Sequence, residues 1–186
     1  MNIGFAMSAS LCTFERAFQA MEATARIHTV TPIFSKAAYT IDSRFGTARD
    51  HITRVVEICG KEPLCTIEDV EPIGPGKLFD ALVIAPCTGN TLAKLAHSIA
   101  DGPVTMAAKS HLRNGRPVLI AISTNDALAG AAENIGKLLG RKNYYFVPFG
   151  QDDPQKKPTS MVADFSKLLP ALDAALDGRQ FQPLLV

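Results

Sequence analysis

The sequence lacks several features that would assign it quickly to a class of protein. None of its apolar runs is long enough to cross a membrane, and no signal peptide precedes the first predicted strand, so we expect a cytoplasmic protein with no membrane partner. Its four cysteines form no CxxC pair and show no zinc-ligand spacing, which indicates reduced thiols and no metal site. The net charge is only +1, so the composition predicts no nucleic-acid partner.

Two common nucleotide-binding motifs are also missing. The G-x-G-x-x-G fingerprint of dinucleotide sites does not follow the first strand, and no P-loop with its lysine occurs in the chain. These absences argue against NAD and nucleoside triphosphates as ligands. What the sequence does contain is 47% hydrophobic residues in a chain of 186, enough for one compact domain over residues 1–186 without support from metals or disulfides.

Apolar runs alternate with helical patterns along the chain, which is typical of β-α-β units and a parallel sheet. The main predicted strands cover residues 3–7, 27–34, 78–85, 117–122 and 144–147, and predicted helices cover 13–26, 128–139 and 160–176. A further amphipathic helix, whose inner face includes Ile52, Val55, Val56 and Cys59, is predicted to end at Gly60. Residues 36–47 and 149–158 are predicted as loops, and residues 63–77 as a short extended piece followed by a loop. The pattern predicts a three-layer α/β sandwich, a mainly parallel sheet flanked by helices, of flavodoxin-like or Rossmann-like type.

The predicted strands end in small and hydroxyl residues. These are Ser8, Ala9, Ser10 and Ser35 after the first two strands, Thr88, Gly89, Asn90 and Thr91 after the third, and Ser123 and Thr124 after the fourth. Right-handed crossovers bring all these strand ends to one edge of the sheet, where open α/β sheets bind ligands. Hydroxyls and helix N-termini suit a phosphate, so we predict a mononucleotide cofactor pocket from these residues. The alternative is a set of well-capped turns, because Thr and Asn are also common N-cap residues.

Some of the same residues carry a resemblance to a known family. Residues 7–10, Ser35 and the segment from Pro86 to Lys94 with Ala100-Asp101 resemble the flavoprotein family of homo-oligomeric flavin-containing cysteine decarboxylases and flavin prenyltransferases. The resemblance implies FMN as cofactor and a homo-oligomer. The sequence departs from the family in three places: Ser8 replaces a usual glycine, residues 72–76 lack a histidine, and residues 123–126 replace the Pro-x-Met-Asn-x-x-Met substrate clamp. Cysteine decarboxylation is therefore not expected.

A more specific resemblance, over nearly the whole chain, is to the family of dipicolinate synthase B subunits of endospore-forming bacteria. It rests on residues 43–46, 85–86, 88–90, 106–109, 112–115, 123–128, 145–152, 156–158 and 160–163. It implies an oxidoreductase subunit in sporulation that acts with an A subunit to form dipicolinate, pyridine-2,6-dicarboxylate, from a dihydrodipicolinate-type intermediate of the lysine pathway. NAD(P) is expected on the A subunit. The alternatives are a stand-alone FMN-dependent decarboxylase or prenyltransferase, and a non-catalytic partner that stabilises the A subunit.

The sequence assigns no catalytic residue, but it suggests two residues for the substrate. Arg44 lies in a long loop, where binding residues concentrate, and its planar guanidinium suits a dicarboxylate; the alternative is a surface ion pair. Asn125 follows the fourth strand and is predicted to cap the next helix, or to bind the substrate or the edge of the flavin ring. His51, beside Asp50 on a helix, is expected to be solvated, and Cys87 to be a buried packing residue.

Overall fold

Seven β-strands flanked by helices form the centre of the computed structural model, which describes residues 1–186. Five of the strands are parallel: β1 (Asn2–Met7), β2 (Thr29–Phe34), β3 (Ala81–Cys87), β4 (Val118–Thr124) and β5 (Tyr144–Phe146). Their order is β2-β1-β3-β4, with β5 beside the first half of β4. The predicted α/β class with a mainly parallel sheet is confirmed.

Two short antiparallel strands complete the sheet next to the end of β4. β7 (Met161–Ala163) pairs with Ser123 and Thr124, and β6 (Phe149–Gly150) pairs with β7. The sequence prediction was wrong here, because it placed a helix from residue 160 and a loop at 149–150. The helix is delayed by Asp164, whose carboxylate accepts a hydrogen bond from the Ser166 N–H at 3.0 Å and so begins a new helical segment after β7.

Nine α-helices connect and cover the strands. They are α1 (Phe14–Ala25), α2 (Lys36–Thr40), α3 (Ala48–Cys59), α4 (Ile67–Val70), α5 (Ile73–Gly76), α6 (Gly89–Ala96), α7 (Pro103–Leu112), α8 (Ala132–Leu139) and α9 (Leu168–Leu176). None of them is long and apolar enough to span a membrane. α3 ends as predicted at Gly60, which has a left-handed φ of 66°.

Two segments predicted as loops contain short helices, and one predicted helix begins later than expected. α2 lies in the predicted loop 36–47 and is capped by Ser35, whose Oγ accepts from the Ala38 N–H at 3.2 Å. α4 and α5 lie in the predicted loop 63–77, and α4 begins with a capping box between Thr66 and Asp69. α8 begins at Ala132 rather than at residue 128, because the turns before it are closed by hydrogen bonds to the Asp126 carbonyl.

The hydrophobic core is one cluster of 47 buried residues centred on the parallel strands. Every residue of β3 is buried, and so is every residue of β4 except the last, Thr124. Strands buried on both faces read as continuous apolar runs, which explains why these two were readily predicted. The polar residues at their carboxyl ends are therefore the first positions at which the sheet can contact a ligand.

The close packing of β1 against β3 gives a stability prediction. A Cβ added at Gly4 would lie 2.6 Å from Phe79 Cδ2 and 2.9 Å from Leu82 Cδ1, closer than real Cβ contacts. We expect Gly4→Ala to lower the free energy of unfolding by about 1–3 kcal/mol through overpacking. Thermal unfolding followed by circular dichroism should show a Tm lower by about 2–4 °C for each kcal/mol lost.

The matched control for Gly4→Ala is Gly136→Ala in α8. A Cβ at Gly136 meets no atom within 4 Å, so alanine there should be neutral or stabilise the helix by about 0.5–1 kcal/mol. Equal Tm values for Gly4→Ala and the wild type would contradict the close-approach argument.

Candidate functional site

The carboxyl ends of β1, β3 and β4 are joined by hydrogen bonds between the predicted site residues. The Ser8 hydroxyl donates to the Pro86 carbonyl at 2.8 Å and accepts from the Thr88 N–H at 2.9 Å. The Ser10 and Ser123 hydroxyls lie 2.8 Å apart. Ser8 and Ser123 are buried, so these bonds fix the strand ends relative to one another. Ser8 thus holds two loops together.

Two adjoining cavities open at this edge of the sheet. The first, about 560 Å³ and here called the hydroxyl cavity, is lined by Ser8, Ala9, Ser35, Lys36, Thr88, Asn90, Thr91, Lys94 and Asp101, among others. The second, about 620 Å³ and here called the arginine cavity, is lined by Ala9, Ser10, Cys12, Thr13, Arg16, Arg44, Thr88, Ser123, Thr124, Asn125, Asp152 and Lys157, among others. Ala9 and Thr88 line both. Each cavity has the volume of an ordinary small-molecule site.

Hydrogen-bond donors surround the hydroxyl cavity. Thr88 is the N-cap of α6, with its Oγ1 accepting from the Thr91 N–H at 3.3 Å, and the two threonine hydroxyls lie 3.1 Å apart. The first-turn amides of α6 have no acceptor within their own helix and lie at the positive end of its dipole. The Ala9 N–H, between two bonded neighbours, has no acceptor in the protein. This donor set suits an anion.

Lys94 and Asp101 pair at the edge of the hydroxyl cavity. The Lys94 Nζ lies 2.9 Å from both carboxylate oxygens of Asp101. This hydrogen bond holds the pKa of the Asp101 carboxyl below its usual value, so Asp101 is a carboxylate at neutral pH. The pair joins α6 to the start of α7, and it leaves Lys36 as the cavity's unpaired cation.

Gly89, one of the predicted cofactor residues, allows two loops to approach each other closely. It lines neither cavity. A Cβ at this position would lie 2.7 Å from both Asp126 Oδ1 and Thr124 Oγ1, so glycine permits the loop after β4 to approach the start of α6. Thr124 donates a hydrogen bond to Asp126, whose carboxylate therefore lies beside α6 and does not cap the following helix.

A tight turn over residues 43–46 presents Arg44 to the arginine cavity. Backbone hydrogen bonds of 3.0 and 3.2 Å join Ser43 and Gly46, and the guanidinium of Arg44 lies 4.8 Å from the centre of the Phe45 ring. The Phe45 carbonyl lies 3.3 Å from His51 Nε2. Gly46 has a φ of 129°, and a Cβ there would come within 2.8 Å of the same histidine nitrogen. The turn is thus fixed on His51.

The prediction that His51 is solvated is wrong. Its side chain is only 4% exposed and packs edge-on against Phe14, with ring centroids 4.8 Å apart, and against Phe18 at 5.9 Å. Its sequence neighbours Arg49 and Asp50 are charged and exposed, and for this reason the sequence indicated an exposed position for His51 as well. Nε2 donates to the Phe45 carbonyl in the tautomer this contact requires, and Nδ1 is left without a partner. His51 positions the turn that carries Arg44.

Cations outnumber acids in the arginine cavity. Arg16, Arg44 and Lys157 line it together with a single carboxylate, that of Asp152, which leaves a formal charge of +2. The Lys157 Nζ lies 3.2 Å from Asp152, whereas neither arginine has a carboxylate within ion-pair distance. Partial burial raises the pKa of Asp152, but hydrogen bonds from Ser160 and Lys157 outweigh this effect and hold it below its usual value. The cavity is built for anions.

Arg44 forms no ion pair in the structure, so the surface-ion-pair alternative does not hold. Arg16 is a second arginine of the cavity, and it was not among the predicted site residues. Arg16 lies in the first turn of α1, directly after the loop that ends β1, and this position brings it to the ligand edge of the sheet. The position of Arg16 just after the first strand end is the feature of the sequence that could have identified it as a site residue. Asn125 lies in the same cavity, with its Oδ1 3.4 Å from the Ser160 hydroxyl, and its amide NH₂ donates to no group of the protein.

The buried cysteine beside the site, Cys87, is not a reactive thiolate. Cys87 is fully buried at the end of β3, and loss of solvation raises the pKa of its thiol far above the usual value. It therefore packs as an uncharged side chain. Cys12 is exposed at the arginine cavity, with its Sγ 3.9 Å from the Ser10 hydroxyl.

Comparison with known proteins agrees with this architecture. The family model described as "Flavoprotein" matches residues 1–155. The B subunit of dipicolinate synthase from Bacillus subtilis (strain 168) is 42% identical over 186 residues, which is 100% of this chain and 93% of that protein. The crystal structure of the dipicolinate synthase B subunit from Bacillus halodurans C superposes with a TM-score of 0.91 at 41% identity, covering 100% of this chain and 95% of that one.

A more distant solved structure shares the fold alone. The FMN-dependent cysteine decarboxylase SpaF has a TM-score of 0.67 at 21% identity, with 95% of each chain covered. Full-length identity above 40% and the matching family model together define the relationship: the chain belongs to the flavoprotein family and, within it, to the dipicolinate synthase B subunits.

Proposed function

We propose that this chain acts with a dipicolinate synthase A subunit, which would carry NAD(P), to form dipicolinate from a dihydrodipicolinate-type intermediate during sporulation. The observation that carries the proposal is the arginine cavity, whose formal charge of +2 matches a dicarboxylate dianion. The full-length similarity to the B. subtilis protein supports it. Conversion of the dihydropyridine to the pyridine ring removes two electrons and two protons, so the reaction is an oxidation.

The hydroxyl cavity fits the phosphate of FMN. Ser35, Asn90 and the Thr91 hydroxyl would hold it together with the unpaired Ala9 N–H and the first-turn amides of α6 other than that of Thr91, which donates to Thr88. The hydroxyl of Ser8 is already used between loops, so it would support this set without contacting the ligand. A bound flavin would supply a two-electron acceptor.

The predicted cofactor residues Ser10, Ser123 and Thr124 line the arginine cavity and would meet the substrate side of the site. Arg44 would bind a substrate carboxylate, and the free amide NH₂ of Asn125 would donate a second hydrogen bond. The turn fixed on His51 pre-sets the position of Arg44, which reduces the entropy lost on binding.

The competing functions differ from this one in specific ways. A stand-alone decarboxylase or prenyltransferase would work without an A subunit, and neither cavity is lined by a histidine that could act as its general base. A non-catalytic partner would raise the activity of the A subunit without needing Arg44. The proposed homo-oligomer draws support from Ile99, which is 47% exposed after α6, whereas Leu92 and Leu95 are buried in the chain's own core.

The test is purification of the chain with and without the A subunit, followed by flavin absorbance and dipicolinate production. We expect flavin to bind the chain, and we expect Asn90→Ala to weaken that binding while the fold stays intact. The loss of one hydrogen bond, about 0.5–1.5 kcal/mol or up to about 3 for a charged phosphate, corresponds to a few-fold to roughly hundredfold loss of affinity.

Asn134→Ala is the matched control, because Asn134 lies on α8 away from both cavities. It should bind flavin like the wild type. If the wild type binds no flavin in either preparation, the cofactor proposal fails. If dipicolinate forms at the same rate without this chain, the proposed role beside the A subunit fails too.

A further inference from the structure

The arginine cavity contains two guanidinium groups, on two different elements, that pair with no carboxylate of the protein. Arg44 lies on the turn 43–46 and Arg16 in the first turn of α1. Exposed arginines usually face solvent, but these two line one cavity of about 620 Å³ whose other walls carry hydroxyls and an amide. Two separate cationic groups on one cavity suit a ligand with two anionic ends.

Aromatic packing joins the two elements that carry the arginines. The turn that carries Arg44 is hydrogen-bonded to His51 of α3, and His51 packs between Phe14 and Phe18 of α1. Arg16 lies between those two phenylalanines in the sequence, on the same helix. Because this aromatic cluster is buried, the backbones that present the two guanidiniums are held at a fixed separation.

Lys157 adds a third cation that is restrained by the protein. Its Nζ lies 3.2 Å from the Asp152 carboxylate, in a loop anchored to the end of β4 by the Thr159 hydroxyl, which donates to the Asn125 carbonyl at 2.6 Å. Asp152 therefore neutralises Lys157 in the free protein. The two charges that remain are those of Arg16 and Arg44.

We propose that the site selects dicarboxylates by binding one carboxylate at Arg44 and the other at Arg16. This inference rests on the proposed function and extends it: Arg16 determines that a substrate or product must carry two carboxylates. A monocarboxylate would leave one guanidinium unpaired, so it should bind more weakly. Arg16 also borders a neighbouring groove between α1 and α9, so it reaches the cavity from its rim.

The experiment is titration calorimetry of the full chain, alone and with the A subunit, using pyridine-2,6-dicarboxylate and pyridine-2-carboxylate as the two probes. Loss of a charge-assisted bidentate contact lowers the affinity by roughly tenfold to a hundredfold. Because both arginines are exposed to solvent, which weakens such contacts, we expect a loss near the lower end, about tenfold. We expect the wild type to prefer the dicarboxylate by about tenfold. The preference should disappear in both R16Q and R44Q.

R49Q is the matched control, since Arg49 is an exposed arginine on α3 that lines neither cavity. It should keep the wild-type preference. If R16Q is folded and still prefers the dicarboxylate as the wild type does, Arg16 is not a carboxylate anchor, and the proposed function stands without it. If the wild type binds neither probe in either preparation, this inference and the substrate class of the proposed function both fail.

Discussion

Replacing Arg44 by alanine is expected to lower kcat/KM for the dihydrodipicolinate-type substrate by roughly tenfold to a hundredfold in the complex with the A subunit. The variant removes a charge-assisted contact worth about 1.5–3 kcal/mol, and Arg44 has no protein carboxylate within ion-pair distance that would compete for it. The loss should appear in steady-state kinetics, with the flavin affinity unchanged, because Arg44 does not line the hydroxyl cavity.

Arg44→Lys should restore only part of this activity. The lysine ammonium keeps the charge but does not reproduce the planar fork that binds both oxygens of a carboxylate. Arg49→Ala is the control, since it removes an exposed arginine close in sequence without altering either cavity. Unchanged kinetics for Arg44→Ala would make Arg44 a surface residue and would remove the main support for a dicarboxylate substrate.

The parts of the fold that were predicted correctly are those determined by local pattern. β3 and β4 are continuous apolar runs because helices cover both faces of the sheet, and α3 carries both an N-terminal capping box and a terminal glycine. β7 was missed because three apolar residues fit a strand or a helix equally well. Its form is decided by pairing with Ser123 and Thr124, which lie far away in the sequence.

The site was predicted as a set of strand ends, but its division into two cavities was not. That division depends on Ala9 and Thr88, which lie between the cavities, and on the Ser8 hydroxyl that joins their loops. The burial of His51 likewise follows from its contact with α1, because the polar neighbours of His51 in the sequence indicate a solvated helix face. Tertiary contacts of this kind leave no periodic signal in one sequence.

Acidification is expected to destabilise the protein through His111, a buried histidine of α7 that takes no part in either cavity. Desolvation lowers the pKa of His111 from 6.5 to about 4, against a hydrogen bond at 3.1 Å between its Nε2 and the Pro117 carbonyl, which acts in the opposite direction. The native state therefore holds the neutral ring, while the unfolded chain takes up a proton below pH 6.5. This contribution to stability is complete above pH 6.5 and is lost as the pH falls from there to about 4.

At about 1.4 kcal/mol per pH unit, this loss amounts to about 3 kcal/mol of the free energy of unfolding. Urea unfolding at a series of pH values measures it directly. His111→Gln keeps a side-chain N–H for the Pro117 carbonyl but has no titrating group, so its stability should change much less between pH 6.5 and 4. His97→Gln, at an exposed position after α6, should retain the wild-type pH dependence. If His111→Gln loses as much stability as the wild type over this range, protonation of His111 is not the cause.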